Sequence, residues 1–376
     1  MDVVLDFADE HILDKAWSAI NPAWGRDHIL RQCVSLYGLT ILGIFVLYFG
    51  MAGASYYLIF DHRMMRHPRF LKNQVRQEIT MSVKGFWVLD FLTLPWFLGE
   101  CRGYSKMYEG IENSPFGNGR LGGVAYILLS SAFFLWFTDL CIYFVHRWLH
   151  WPAVYKRLHK PHHKWVIPTP FASHAFNPFD GYLQSVPYHL FVYLFPLHKY
   201  TYLGLFCTVN LWSIFIHDSD MIVGHPLEKI INGPAHHTLH HMYFVYNYGQ
   251  YFTWADRVGG SYRHPKNEDD PLNTILQQED AKLKYIKEKE EMRLLDLELE
   301  KTKKLQQLQL EQATMDVPLS SRSIHLQRRG SEFDDSITES SLSSGRTSPT
   351  YSRSDSGFED TNSDKENKET SIRRRK

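Results

Sequence analysis

The sequence predicts an all-α fold: a polytopic membrane helical bundle with a histidine-rich cap on the cytosolic side, followed by a charged helix and a disordered tail. Three observations predict it. Apolar, aromatic-rich runs fill the chain to about residue 270, histidine clusters lie at the ends of these runs, and Lys, Glu, Gln and Ser dominate the remainder. The predicted segments are a lumenal amino terminus (residues 1–28), a membrane-embedded domain (29–270), a charged helical segment (277–312) and a disordered tail (313–376).

Composition argues against several classes of protein. A formal net charge of +0 at pH 7 gives no support to nucleic-acid binding. The amino terminus is acidic and has no positively charged start before a short apolar core, so we expect no secretory signal. The cysteines are scattered, mostly within apolar runs, which favours free thiols over disulfides or a cysteine metal site. They are Cys33, Cys101, Cys141 and Cys207.

Three apolar runs predict the first membrane-spanning helices, at residues 34–60, 83–99 and 121–144. The loop after the first run is rich in Arg and Lys, which predicts that this loop is cytosolic and that the amino terminus is lumenal. Alternation of the spans then places the end of the third run on the cytosolic side. Residues 183–216 are too short for two full spans and contain Pro196, so they predict two short helices in a hairpin or re-entrant pair.

The first histidine cluster lies where the third run ends. His146 and His150 are four residues apart, so both imidazoles project from one helix face, which Asp139 and Tyr143 share. An aspartate this far inside an apolar helix is costly unless it is paired. We therefore expect Asp139 to accept a hydrogen bond from Tyr143 or from a ligand imidazole and so to fix its tautomer.

Two further clusters follow on the same side of the membrane. In the first, Pro161 favours a helix start just after His159, with His162 and His163 on its first turn. In the second, Pro234 predicts the start of a helix that places three histidines on one side. These are His237, His240 and His241.

Eight imidazoles exceed what one ion takes, so the sequence predicts a di-metal site. The predicted metal ligands, which are also the predicted catalytic residues, are His146, His150, His159, His162, His163, His237, His240 and His241. His217 is predicted as a ninth ligand because it leaves an apolar run beside the clusters. Asp139, Tyr143, His174 and His236 are predicted to support the ligands. Imidazole suits Fe, Cu, Zn and Ni, and spacing does not choose among them.

Such a site, with apolar walls, is suited to receive a lipid from the bilayer and to activate O2 for attack on an unactivated C–H bond. That chemistry needs electrons, so we expect a membrane-anchored electron donor on the cytosolic face.

The order HX3H, HX2HH and HX2HH resembles the fatty acid hydroxylase and sterol desaturase superfamily, and within it the sterol C5-desaturases. The similarity covers roughly residues 1–265. Further motifs that carry it are Phe137-Thr138-Asp139, Tyr155-Lys156-Arg157-Leu158, Pro168-Thr169-Pro170-Phe171-Ala172-Ser173-His174, Ile216-His217-Asp218 and Ile231-Asn232-Gly233.

The resemblance implies a di-iron oxidoreductase, multi-pass in the endoplasmic reticulum membrane, with its active site on the cytosolic side. Such an enzyme removes hydrogens from C5 and C6 of a Δ7-sterol in sterol biosynthesis, converting lathosterol-type into 7-dehydrocholesterol-type sterols. It uses O2 as co-substrate and electrons from NADH through cytochrome b5 and its reductase. The implied partners are therefore the sterol, membrane lipid and these two electron-transfer proteins.

Two alternatives remain open at this point. One is a related lipid oxidase, either a sterol C4-methyl oxidase or a fatty acid hydroxylase. The other is a non-catalytic metal-binding scaffold of the endoplasmic reticulum whose charged tail recruits partners.

Overall fold

Helices dominate the protein, as the sequence predicts. The structure is a computed structural model that describes residues 1–117 and 119–315. Its α-helices are α1 (Asp2–Ala8), α2 (Asp14–Ile20), α3 (Ile29–Leu58), α4 (Gln74–Cys101), α5 (Arg120–Leu149), α6 (Pro152–Tyr155), α7 (Pro178–Leu194), α8 (Lys199–Ile216), α9 (Pro234–Tyr243), α10 (Trp254–Val258) and α11 (Pro271–Met315). Two short strands, β1 (Met107–Tyr108) and β2 (Leu197–His198), pair in parallel.

Short helical turns connect these elements. A π-helical turn, Asp9–Leu13, joins α1 to α2. The 3₁₀ helices are His62–Arg66, Ile111–Asn113, His162–Lys164, Pro170–His174, Pro226–Lys229 and Asn267–Asp269.

Two helices in the described part of the chain are long and apolar enough to cross a membrane. They are α3, with a mean hydropathy of 2.0 over its most apolar stretch, and α5, with 1.8. They contain the first and third predicted spans. The second predicted span lies within α4, which also carries Glu78, Lys84 and Asp90 and is not one of the two.

The helices α3 and α4 run in opposite directions. Near the start of α3, Leu36 packs in one cluster with Phe97 near the end of α4. Beyond the other end of α3, Phe60 packs against Ile167, whose carbonyl oxygen accepts from Gln74 Nε2 at the start of α4 at 2.7 Å. This second end of the pair therefore lies beside the segment that carries the middle histidine cluster.

The predicted hairpin at residues 183–216 is formed by α7 and α8. The chain turns between them at Pro196, whose ring is incompatible with a continuing helix. Both helices contribute to a core with α5, in which Phe134, Phe191 and Val209 are buried. This packing fixes the carboxyl-terminal ends of α5 and α8, where predicted ligands lie.

The amino-terminal helices α1 and α2 were not predicted. Arg31, near the start of α3, donates to Asp9 in the π-helical turn at 2.7 Å and also pairs with Asp14 at the start of α2. Leu5 of α1 packs in one cluster with Leu36 of α3. The buried Asp9 and the partly exposed Asp14 thus explain part of the acidic composition that the sequence showed without indicating a structure.

The helix α11 extends beyond both ends of the predicted segment at residues 277–312. The chain divides into two compact units, Met1–Arg293 and Leu294–Lys376. Residues 316–376, which hold most of the predicted disordered tail, lie outside the described residues. The cysteines are free, as predicted.

Candidate metal centre

The nine histidines predicted as ligands converge on two groups. The candidate ligand atoms within each group lie within 4.8 Å of one another. The first group, which we call cluster A, contains His146, His150, His159, His163 and His240. The second group, cluster B, contains His162, His217, His237 and His241.

Helix ends and short turns position these side chains. His146 lies in the last turn of α5, and His150 is the carboxyl-terminal cap of that helix. His162 begins a 3₁₀ helix directly after Pro161, as the sequence predicts. His217 caps the end of α8, and α9 begins at Pro234 with Gly233 as its cap, again as predicted. The ligands thus come from four separate elements that the helical core brings together.

The Nε2 atoms face one another within each cluster. In cluster A the Nε2 atoms of His146 and His159 are 3.1 Å apart, and His163 Nε2 lies 3.1 Å from His150 Nε2 and from His240 Nε2. In cluster B, His237 Nε2 lies 3.0 Å from His217 Nε2 and 3.1 Å from His241 Nε2. The Nε2 atoms of His217 and His162 are 3.4 Å apart.

Hydrogen bonds at Nδ1 fix the tautomer of several of these rings. Carbonyl oxygens accept from the Nδ1–H of four of them, through the pairs His146 with Tyr248 (2.9 Å), His217 with Ser213 (2.6 Å), His240 with Tyr246 (2.7 Å) and His241 with Trp165 (2.9 Å). A carbonyl oxygen can only accept, so each Nδ1 carries the proton. In a neutral imidazole the Nε2 atom then carries no proton, and its lone pair points toward the centre of the cluster.

Six of the nine rings are neutral at physiological pH. Burial, reinforced by the neighbouring imidazoles, holds the pKa of five ligands well below its usual range: His162, His163, His237, His240 and His241. Burial also lowers the pKa of His217 to about 3. Neutral imidazole is the form that binds a metal ion.

The pair His146 and His159 tests whether a cation fits. His146 directs its Nδ1–H at the Tyr248 carbonyl, and a neutral His159 directs its Nδ1–H at the Asp180 carboxylate, so in the neutral pair both Nε2 atoms are bare. Two bare nitrogens 3.1 Å apart repel each other unless a cation lies between them. Ligand nitrogens about 2 Å from one ion are separated by about 3 Å when adjacent, so the observed spacing fits a metal ion.

Asp180 is a supporting residue that the sequence analysis missed. Its Oδ2 accepts from His159 Nδ1 at 2.7 Å, its Oδ1 accepts from Gln184 Nε2 at 2.8 Å, and it is fully buried. A carboxylate behind a ligand imidazole fixes the ring and makes it more basic. The sequence gave no signal that Asp180 contacts His159, because the two residues are 21 positions apart and helical periodicity does not relate them.

Asp139 has different partners from those predicted. Its Oδ1 accepts from the backbone N–H groups of Gln250, Tyr251 and Phe252, at 3.0, 2.7 and 3.2 Å, and neither Tyr143 nor an imidazole is the donor. The cause is that the loop at residues 250–252 crosses α5 at the depth of Asp139 and presents unpaired backbone N–H groups to it. These amides satisfy a buried carboxylate more completely than one phenol.

Asp256 continues this arrangement along the same loop. It accepts from the backbone N–H groups of Tyr248 and Gly249, each at 2.8 Å. Two carboxylates therefore bind five consecutive amides, at residues 248–252, and hold the Tyr248 carbonyl against His146. The loop at residues 248–252 is thus an ordered part of the site.

The other predicted supporting residues contact the site indirectly. Tyr143 accepts from Arg147, pairs with Ser261 Oγ at 3.3 Å, and packs its ring against that of Tyr248. The carbonyl oxygen of His236 accepts from Asn247 Nδ2 at 3.2 Å, which connects His236 to the residue that precedes the loop at residues 248–252. The prediction that His236 supports the ligands stays a prediction.

His174 lies in a cavity wall, and its two ring nitrogens face residues other than the predicted ligands. Its Nδ1 is 2.9 Å from Ser173 Oγ, and its Nε2 is 3.2 Å from Asn210 Oδ1. Burial lowers the pKa of His174 to about 4, so its imidazole is neutral.

Two chambers adjoin the clusters. The first encloses about 750 Å³ including its open mouth, and its wall includes members of both clusters. These are His146, His159, His162, His217 and His237. The second, of about 740 Å³, is lined mainly by apolar side chains of α3, α4 and α8, among them Ile44, Phe86 and Phe206.

The known proteins that are similar to this chain belong to the family that its sequence resembles. The fatty acid hydroxylase family matches residues 131–261. The chain is 52% identical over 268 residues to lathosterol oxidase of Mus musculus, a match that covers 71% of this chain and 87% of the mouse protein. It is 46% identical over 312 residues to a Delta(7)-sterol 5(6)-desaturase of Aspergillus fumigatus, covering 75% of this chain and 95% of that protein.

The chain belongs to the sterol 5(6)-desaturase family of oxidoreductases. A further member, lathosterol oxidase of Homo sapiens, is 49% identical over 285 residues, or 75% of this chain and 92% of the human protein. No solved structure matches the chain.

The nine histidines of clusters A and B, with Asp139, Asp180 and Asp256, lie within the residues 131–261 that match the family. The apolar chamber is lined in part by residues of α3 and α4, which precede that region.

Proposed function

We propose that the chain is a Δ7-sterol C5(6)-desaturase that converts lathosterol to 7-dehydrocholesterol. The observation that carries the proposal is the pair of histidine clusters bordering a chamber that adjoins a second, apolar one. The names of the similar proteins support the substrate and the bond that is formed.

The proposed reaction removes one hydrogen each from C5 and C6 and forms a double bond between them. O2 is reduced to two molecules of water, with two electrons from the sterol and two from NADH, delivered through cytochrome b5 and its reductase. Two iron ions, held by clusters A and B, would supply the redox chemistry that activates O2. The iron identity rests on the resemblance to the family.

The chain's own residues have three tasks in this proposal. Asp180 and the backbone carbonyls orient the imidazoles through Nδ1, so that the ligands need no rearrangement. The two carboxylates, Asp139 and Asp256, immobilise the loop at residues 248–252. The apolar chamber accepts an apolar part of the lipid beside the first chamber, in which the reacting carbons face the clusters.

We further propose that the protein is multi-pass in the endoplasmic reticulum membrane, with the clusters on the cytosolic side. The antiparallel pairing of α3 with α4 supports an alternation of spans. The positively charged loop after α3, with Arg63, Arg66 and Arg69, supports a cytosolic position for that end of the bundle.

Expression in cells that lack sterol C5-desaturase activity tests the function. With cytochrome b5 present, we expect lathosterol to disappear and 7-dehydrocholesterol to accumulate, measured by mass spectrometry of total sterols. No conversion in cells that contain the protein would contradict the proposal. Oxidised C4-methyl groups or hydroxylated fatty acids as products would instead identify one of the two related lipid oxidases.

A further inference from the structure

The two chambers meet at a polar junction. Five residues line both of them: Leu89, His174, Ser185, Tyr188 and Asn210. The hydroxyl of Ser185 donates to the Tyr182 carbonyl at 2.8 Å, and the Tyr188 and Tyr251 hydroxyls pair at 3.0 Å. Both hydroxyl groups, of Ser185 and Tyr188, therefore already have hydrogen-bond partners within the protein.

The hydrogen bonds around His174 leave two acceptors facing each other. Ser173 Oγ donates its single proton to the Pro170 carbonyl at 2.8 Å, so it can only accept from His174 Nδ1. His174 Nδ1 then carries the proton, and Nε2 is bare. Nε2 lies 3.2 Å from Asn210 Oδ1, which is also an acceptor.

Rotating the Asn210 amide does not remove this conflict. Asn210 Nδ2 donates to the Phe206 carbonyl at 2.7 Å, one turn earlier in α8. Exchanging the oxygen and nitrogen of the amide would place Oδ1 against that carbonyl and create a second pair of acceptors. The junction therefore lacks one proton donor, and a ligand with a single hydroxyl group would supply it.

We propose that Asn210 and His174 bind the 3-hydroxyl group of the sterol, an inference that rests on the proposed function. In a sterol, one ring carbon separates C3 from C5, so the hydroxyl and the reacting carbons must occupy the same chamber. The first chamber meets this condition, because its wall includes both the Asn210–His174 pair and the cluster imidazoles. The hydroxyl donates to His174 Nε2 or Asn210 Oδ1 and fixes which carbons face the clusters.

Asn210→Leu tests the proposal with Thr208→Val as its matched control. Thr208 lies on the same helix and likewise donates to the carbonyl one turn earlier, Gly204 at 2.8 Å, but it is exposed. The substrates are lathosterol and its 3-deoxy analogue, assayed in membranes containing the full chain with cytochrome b5 and its reductase.

We expect the unaltered chain and Thr208→Val to prefer lathosterol over the 3-deoxy analogue by about tenfold or more in kcat/KM. Asn210→Leu should lower kcat/KM for lathosterol about tenfold, mainly by raising KM, and should leave the analogue nearly unchanged. Equilibrium binding of tritiated lathosterol to the purified full chain should weaken in parallel. His174→Phe, which also removes an acceptor, provides the same test if Asn210→Leu does not accumulate.

An undiminished preference for lathosterol in both variants would overturn the proposal. Failure of the unaltered chain to convert lathosterol at all would contradict the proposed function and, with it, this inference.

Discussion

Replacing His163 with alanine should lower sterol desaturation by more than about 100-fold, beyond the loss typical of an outer partner of a metal ligand. His163 is the most connected ligand of cluster A, because its Nε2 lies 3.1 Å from the Nε2 atoms of both His150 and His240. Its removal leaves these two nitrogens without the third member of their group and opens a buried polar void. The measurement is 7-dehydrocholesterol formed per molecule of protein in membranes from desaturase-deficient cells.

His62→Ala is the control for this variant. His62 is an exposed histidine in the 3₁₀ helix before α4 and belongs to neither cluster. Turnover by His163→Ala at the level of His62→Ala would contradict a catalytic role for cluster A.

Asp180→Asn should lower turnover by about 10–100-fold and weaken metal retention. Asp180 accepts from both His159 and Gln184, so the amide must present its NH2 group to one of these donors. If the NH2 group faces His159, the ring loses the acceptor of its Nδ1 proton. If the amide oxygen faces it, a neutral acceptor replaces a carboxylate and holds that proton less firmly, so in both cases the bare Nε2 that faces His146 is less strongly enforced. Turnover and bound metal per chain in the purified variant measure the effect.

Asp6→Asn provides the same chemical change at an exposed position in α1. If Asp180→Asn matched it in both turnover and metal content, the carboxylate would have no part in orienting His159.

The nine candidate ligands could be selected from the sequence because most of them lie in short local motifs. Spacings of three and four residues place imidazoles on one side of a helix, and Pro161 and Pro234 mark where the turns begin. The count of histidines then indicated two ions. The structure brings together the nine residues that this reasoning selected.

The division of the histidines between the clusters could not be predicted. His162 and His163 are neighbours in sequence but join different clusters, and His240 separates from His241 in the same way. Consecutive residues of a helical turn point in directions about 100° apart, and the two adjacent histidines of each HX2HH motif face different clusters. Which site receives each ring depends on the packing of α5, α8 and α9.

The residues around the ligands were harder to predict because their contacts are distant in sequence. Asp139 has Tyr143 as its neighbour on the helix face, yet its partners are amides more than a hundred residues away. Asp180 reaches His159 from another helix. Helical periodicity reports neighbours on one element and carries no information about contacts between elements.

The fold followed the apolar pattern where that pattern was strong. The helices α3 and α5 contain the first and third predicted spans, and α7 and α8 form the predicted hairpin. The amino-terminal helices escaped prediction in part because Arg31 of α3 holds α2 and the turn before it through charged groups. An apolar pattern does not register such contacts.

The metal content of the purified full chain tests the central claim most directly. Elemental analysis of active protein, extracted from membranes in mild detergent without chelator, should give two iron ions per chain. His163→Ala in cluster A and His162→Ala in cluster B should each retain fewer, and His62→Ala should retain two. An unaltered chain that turns over lathosterol with one metal ion per chain, or with none, would contradict the assignment of clusters A and B as a di-metal centre.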